Sequence, residues 1–148
     1  MKDSDFKNVM SKIPTSVSIL VQSDEEKTVS CTISSLVSVS INNPKVLFVL
    51  KKESKTGWAI ETNRFFEIFV LTSEQEEAAK KSSTLNHHLS TADIHQLKIS
   101  SRIVMECELY DVHENYEAKV YIATVLNAKI RSDGNSLIYL NREFRAIE

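Results

Sequence analysis

Residues 29–41 read VSCTISSLVSVSI. The odd positions Val29, Cys31, Ile33, Val37, Val39 and Ile41 are apolar apart from Ser35. The even positions Ser30, Thr32, Ser34, Ser38 and Ser40 carry hydroxyls apart from Leu36. Successive strand side chains point to opposite faces, so the stretch predicts one long strand with an apolar face and a hydroxyl face. No charged residue interrupts it. Two readings fit a neutral hydroxyl face. It is a solvated surface, or a surface over which a ligand or a second subunit packs, because small hydroxyls and strand N–H groups bond a polar ring edge or a phosphate without crowding it.

The segments on either side have the same character. Residues 15–22 (TSVSILVQ) are rich in β-branched residues and read as a strand, joined to 29–41 by the charged turn at 23–27. After the turn Asn42-Asn43-Pro44, the apolar run 46–50 predicts a strand buried on both faces. Further strands are predicted at 64–71, 103–112, 120–130 and 137–140. In 120–130 the face expected inward is Val120, Ile122, Leu126, Ala128 and Ile130. Short helices are predicted at 3–13, capped by Asp3 or Ser4 and stopped by Pro14, at 54–62 behind Ser54, and from Thr72 or Ser73 to Ser82. Ser73 and Glu76 have the spacing of a capping box. Residues 83–100 read as a polar loop with one helical turn. Six or seven mostly antiparallel strands with two or three short helices make an α+β, mainly β barrel, expected as one domain over 1–148.

Composition narrows the function. The chain has 148 residues, 42% hydrophobic and 26% charged, with a formal net charge of −2. That balance argues against a nucleic-acid binder held by its phosphates, which needs a clustered basic excess. No apolar run approaches a membrane span and the N-terminus does not read as a secretion signal. Cys31 and Cys107 form no CxxC unit, so a reducing cytoplasmic setting is expected. With Gly57 and Gly134 as its only glycines, the chain holds neither GxGxxG nor a P-loop.

A second candidate feature is the run Lys51-Lys52-Glu53-Ser54-Lys55-Thr56. It places cations before a predicted helix N-terminus, where free N–H groups favour an anion; taken by itself the run fits a solvated loop with a serine cap better. His87, His88 and His95 have no acidic or cysteine partners at metal-ligand spacing, so no metal site is expected. Both cysteines fall on apolar strand faces, as inert buried thiols do. There is no GxSxG elbow. Trp58 reads as a core residue or subunit contact, with a lid over a flat ligand as the alternative.

Four ordered stretches resemble the flavin reductase family, whose fold is the FMN-binding split β-barrel. They are Phe6-x3-Met10-x3-Pro14-Thr15-x-Val17, and Thr32-x-Ser34-Ser35-x2-Ser38-Val39-Ser40-x3-Pro44. The third is Ser54-Lys55-Thr56-x3-Ile60 with Phe65 or Phe66 and Val70-Leu71-x3-Gln75 after it. The fourth is Glu106-Cys107 with Leu137-Ile138-Tyr139-x3-Phe144-Arg145. The resemblance implies a homodimer binding FMN near the subunit interface. It places the flavin along Thr32, Ser34, Ser35, Leu36 and Ser38, and the phosphate near Lys51, Ser54, Lys55 and Thr56. It implies hydride transfer from NADH or NADPH to flavin, often for a partner monooxygenase, with no catalytic residue assigned, since the flavin does the redox chemistry.

The chain departs from the family pattern in places. The family's Gly-Asp-His step is replaced by Tyr116-Glu117-Ala118, and the Gly that follows it by Ala123. Phe69 stands for the usual Asn and Asn43 for the first Pro of a pair. The histidine expected beside nicotinamide and flavin is therefore absent from that place, with His113 five residues upstream. A split-barrel protein that binds flavin without turnover, or a dimeric interaction module, is the alternative reading.

Overall fold

A computed structural model describes residues 1–84 and 88–148. The stretch 29–41 is two strands, β3 (Thr28–Ile33) and β4 (Val37–Ser40). They follow α1 (Asp3–Met10), β1 (Thr15–Ser16) and β2 (Ser18–Ser23). After them come β5 (Lys45–Lys51), α2 (Lys55–Asn63), β6 (Phe65–Val70), a 3-10 turn (Ser73–Gln75), α3 (Glu76–Ser82) and α4 (Thr91–Ser100). The chain ends with β7 (Ile103–Asn115), β8 (Ala118–Ile130), β9 (Ser136–Leu140) and β10 (Glu143–Ile147).

Seven strands form one sheet in the order β3-β2-β6-β7-β8-β5-β4, every pairing antiparallel. β3 and β4 are its two edges, so residues 34–36 carry the chain from one edge to the other and curl the sheet into a barrel. No ladder joins β3 to β5; the Ser35 hydroxyl makes the link instead, accepting from the Val49 N–H at 2.9 Å. A barrel closed by a side chain where a ladder would run is split. The α+β, mainly β class expected from the sequence is thus the observed one. β1, β9 and β10 form a second, three-stranded sheet.

The barrel interior is filled by Leu20, Ile33, Val46, Phe48, Leu50, Phe66, Ile68, Cys107, Leu109, Tyr121 and Ala123, with Ile60 of α2 among them. Phe48 stacks on Tyr121, centroids 5.3 Å apart and planes 4° from parallel, and meets Phe66 edge-on at 5.6 Å. A second apolar layer lies outside the barrel. There Ile19, Val21, Phe69 and Leu71 pack against Ala79 of α3, Leu97 of α4 and Leu137 of β9.

Several expectations are corrected. The crossing at 34–36 breaks the alternation of 29–41: Cys31 and Leu36 pack against the barrel core, but Val37, Val39 and Ile41 are exposed. β5 is buried on its inner face alone. Val46, Phe48 and Leu50 point inward while Val49 is exposed, because no helix among the described residues covers that side of the sheet. In β8 the inward residues are Tyr121 and Ala123 rather than the Val120–Ile122 face, and Leu126 and Ile130 are exposed. The Tyr121 ring stacks on Phe48 and sets that phase, and a bulge at Leu126, left unpaired between Val125 and Asn127, disturbs it beyond. The first helix stops at Met10, short of 13, as Lys12 and Ile13 bond back three residues to Val9 and Met10. Its N-cap is Lys2, without a side-chain bond, in place of Asp3 or Ser4.

The expected capping box falls one residue earlier than the Ser73–Glu76 spacing suggested, the Thr72 N–H donating to Gln75 Oε1 at 3.0 Å. Residues 91–100, read as loop, are α4, started by a reciprocal Ser90–Asp93 box and so the fourth helix among the described residues. β9 is not the last strand. It turns into β10 through Asn141 and Arg142, both with positive φ (54° and 64°). Among the described residues no helix is long and apolar enough to cross a membrane.

Candidate functional site

The hydroxyls of 29–41 divide into two groups. Those of β3 hold α3: Thr32 Oγ1 donates to the Ala79 carbonyl at 2.6 Å, and Ser82 Oγ donates to Ser30 Oγ at 2.8 Å. The second group follows the end of β3. Ser34 is exposed, and Ser35 is fixed by Val49. Where the chain leaves β3, a pocket of about 260 Å³ opens, lined by Val17, Thr32, Ile33, Ser34, Ser83, Tyr139 and Phe144. Its aromatic wall is the β9–β10 hairpin, where Tyr139 and Phe144 meet edge-to-face with centroids 5.2 Å apart. One wall offers hydroxyl and backbone groups and the other offers rings, a lining suited to a flat heteroaromatic ligand with a polar edge.

The second group of expected residues lies along β5 from there. Ser35 bonds Val49, two residues before Lys51, and the Lys51 carbonyl accepts the Ser54 N–H at 3.1 Å. Ser54 caps α2, its Oγ accepting the Gly57 N–H at 3.1 Å. Lys51 and Lys55 are exposed. Thr56 is buried, 3% exposed, with its hydroxyl turned to Cys31, so its side chain does not face an anion at the surface. Ser38 is exposed on β4 and Leu36 packs against the barrel core, so of the residues expected along a flavin only Thr32 and Ser34 line the pocket.

The cysteines behave as buried thiols. Burial pushes Cys31 up to about 11, against a hydrogen bond from Thr56 that lowers it, and burial with the Glu106 charge pushes Cys107 up to about 12. Neither is a nucleophile near neutral pH. No group of three His, Cys, Asp or Glu among the described residues could hold a metal. His88 and His95 are exposed, and His87 lies outside the described residues. Trp58 is 70% exposed on α2, so it is not core. His113 pairs with Asp111 at 3.0 Å near the tip of the β7–β8 hairpin. That tip is tied to the turn before α2 by Lys52–Glu114 at 3.4 Å and by the Lys52 N–H to the Glu117 carbonyl.

Tyr139 and Phe144 belong to the fourth motif and had no expected part in the site. Their spacing of five residues across a hairpin was the available signal. A groove of about 390 Å³ lies at the other end of β2, lined by Val21, Ser23, Phe65, Glu67, Lys98 and Leu126 among others, and shares no residue with the first.

The site is thus a hydroxyl-and-aromatic pocket at the crossing strand of a split antiparallel barrel. Residues 10–148 match the flavin reductase like domain model, and the chain belongs to that family of oxidoreductases. A flavin reductase from Pseudomonas putida is 25% identical over 143 residues, covering 90% of this chain and 84% of the relative. The fold is shared with the flavin reductase component of a bacterial two-component tryptophan halogenase at a TM-score of 0.89 and 15% identity, over 99% of this chain and 98% of that one. It is shared also with an NADH:FAD oxidoreductase of Streptomyces globisporus, solved with NAD and FAD fragments, at a TM-score of 0.84 and 18% identity, over 98% and 92%.

Proposed function

We propose that residues 1–148 act as one domain that binds FMN and catalyses its reduction by NADH or NADPH. The observation that carries this reading is the pocket at the end of β3, where Thr32 and Ser34 face Tyr139 and Phe144. The donor set fits a flavin. The ring edge alternates acceptors with an N–H, and hydroxyls, unlike charged groups, serve both. The flavin, when bound, supplies the hydride-accepting ring. The chain's own residues bind and orient. Tyr139 and Phe144 wall the pocket, Ser34 and the backbone of 32–35 present hydrogen-bonding groups, and Lys51, Ser54 and Lys55 gather positive potential and free N–H groups for the phosphate.

FMN is favoured over FAD here by the compactness of the proposed phosphate site, one helix turn flanked by two lysines. Titration with FMN, followed by flavin fluorescence, tests it: saturation at about one flavin per chain is expected. Lys55→Ala weakens FMN by about 1–3 kcal/mol, the range for charge-assisted hydrogen bonds. Unchanged affinity removes the phosphate assignment.

The working form is a homodimer. The register aligns Val37, Leu47 and Ile122 in one row across β4, β5 and β8, with Val49 and Val120 in the next, and Val37 and Val49 are exposed. One protein that shares the fold is the flavin reductase component of a two-component halogenase. A partner oxygenase, a monooxygenase by preference, is proposed to receive the reduced flavin in the cytoplasm. One observation favours a second reading, flavin binding without turnover: Tyr116 and Glu117 form the β7–β8 turn and Ala118 opens β8, the three residues that stand in place of the family's Gly-Asp-His step. Oxidation of NADH or NADPH with FMN present separates the two, because a carrier holds flavin without consuming the nicotinamide.

A further inference from the structure

α2 carries the proposed phosphate turn at its N-terminus, and an unusual polar clamp grips it from below. Glu61 lies one turn after Gly57 on the same side of the helix. Its carboxylate accepts the Tyr121 hydroxyl at 3.0 Å and the Lys119 ammonium at 3.1 and 3.2 Å. Tyr121 is 1% exposed and stacked on Phe48, so its hydroxyl stands at a fixed point. Gly57 makes room for it: a Cβ there would come within 2.5 Å of the hydroxyl oxygen and 3.2 Å of the ring carbon bearing it. The same Gly57 gives its N–H to the Ser54 cap. Ser54, Gly57, Glu61, Lys119 and Tyr121 are therefore one connected unit running from the barrel interior to the first turn of the helix.

Apolar packing already attaches this helix, since Ala59 and Ile60 are buried. Apolar contacts are non-directional and leave a helix free to slide or rotate by fractions of a turn. Three hydrogen bonds to a rigid ring and a strand-borne lysine do not. We propose that Tyr121, with Glu61 and Lys119, is a positioning residue that sets the height and rotation of α2, so that its N-terminal turn recognises the flavin phosphate. The inference rests on the phosphate reading given above, and deepens it by naming what makes the turn selective.

FMN and riboflavin differ by the phosphate alone, so titrating each into wild-type protein and into Tyr121→Phe tests it. Wild type binds FMN more tightly than riboflavin. Tyr121→Phe keeps the stacked ring and removes the hydroxyl; it raises the Kd of FMN about five- to tenfold, as loss of one buried hydrogen bond implies, and leaves riboflavin within about twofold. Glu61→Gln keeps an acceptor for Tyr121 and loses the charge facing Lys119, so it moves the ratio in the same direction by less. Equal weakening of both flavins, or no change in either, in both variants overturns the clamp: Tyr121 then serves the barrel core alone. A wild-type protein with no preference between FMN and riboflavin overturns the phosphate reading itself, and that outcome is visible before any variant is made.

Discussion

Tyr116 sits in the two-residue turn between β7 and β8 with φ 44°, a left-handed conformation that costs a residue with a Cβ roughly 1–2 kcal/mol. Its ring is 89% exposed and so gains little from packing. Tyr116→Gly is therefore expected to stabilise the protein by about 1 kcal/mol after the added freedom of the unfolded chain is counted, read as a higher urea midpoint. A lower midpoint would mean that the exposed ring has a contact in the working assembly. The cysteines give a prediction with a definite sign. Cys31 and Cys107 both have folded pKa values raised above 9.0, to about 11 and about 12, so the unfolded chain loses these protons first. Their contribution to stability is complete below pH 9 and declines as pH rises toward 11–12. Native protein at pH 8 should accordingly react with a thiol reagent far more slowly than protein in denaturant; equal rates would contradict the burial of both thiols.

Among the elements, α2 was the most legible: Ser54 stands at the cap position in the sequence, and it caps the helix in the structure. What the sequence did not convey was which face turned inward. Thr56, read as a phosphate ligand, is on the buried side because Gly57 lies against Tyr121, and no local pattern announces a partner sixty-four residues away. Gly57→Ala should destabilise the fold by about 1–3 kcal/mol, the usual cost of overpacking, with thermal melting as the check. A neutral effect would show that Tyr121 can move aside, and would weaken the case for it as a fixed point. The strand at 29–41 was legible as β structure but not as two strands. Alternation reports side-chain direction relative to the local backbone, and it persists in composition while the chain changes sheet edges at 34–36. β10 escaped because Asn141 and Arg142 make a turn with two positive φ values and no glycine to mark it. Thr32 lines the pocket, yet the engagement of its hydroxyl by Ala79 depends on α3 lying over β3, a long-range fact.

On the scale of the molecule, the split barrel leaves one sheet face bare. Val37 with Leu47 and Ile122, and Val49 with Val120 in the next row, form an apolar surface, and Phe6, Val9 and Met10 of α1 with Ile13 just beyond it, all about half exposed, form a second one. Apolar patches of this kind mark association surfaces. Sedimentation should find a dimer, and Val37→Glu with Val49→Glu should shift it to monomer; a monomeric wild type would remove the homodimer from the account. The family's split barrel was readable in advance because four motifs in order span the chain, whereas the walls of its pocket came from opposite ends of the sequence, Thr32 and Ser34 near one and Tyr139 and Phe144 near the other. The central claim is that this pocket holds a flavin that accepts hydride from a nicotinamide. The measurement that tests it most directly is the loss of NADH or NADPH absorbance on adding FMN to the purified protein. Saturable oxidation that requires both protein and flavin is the predicted result. Flavin that binds while the nicotinamide stays reduced would contradict the claim.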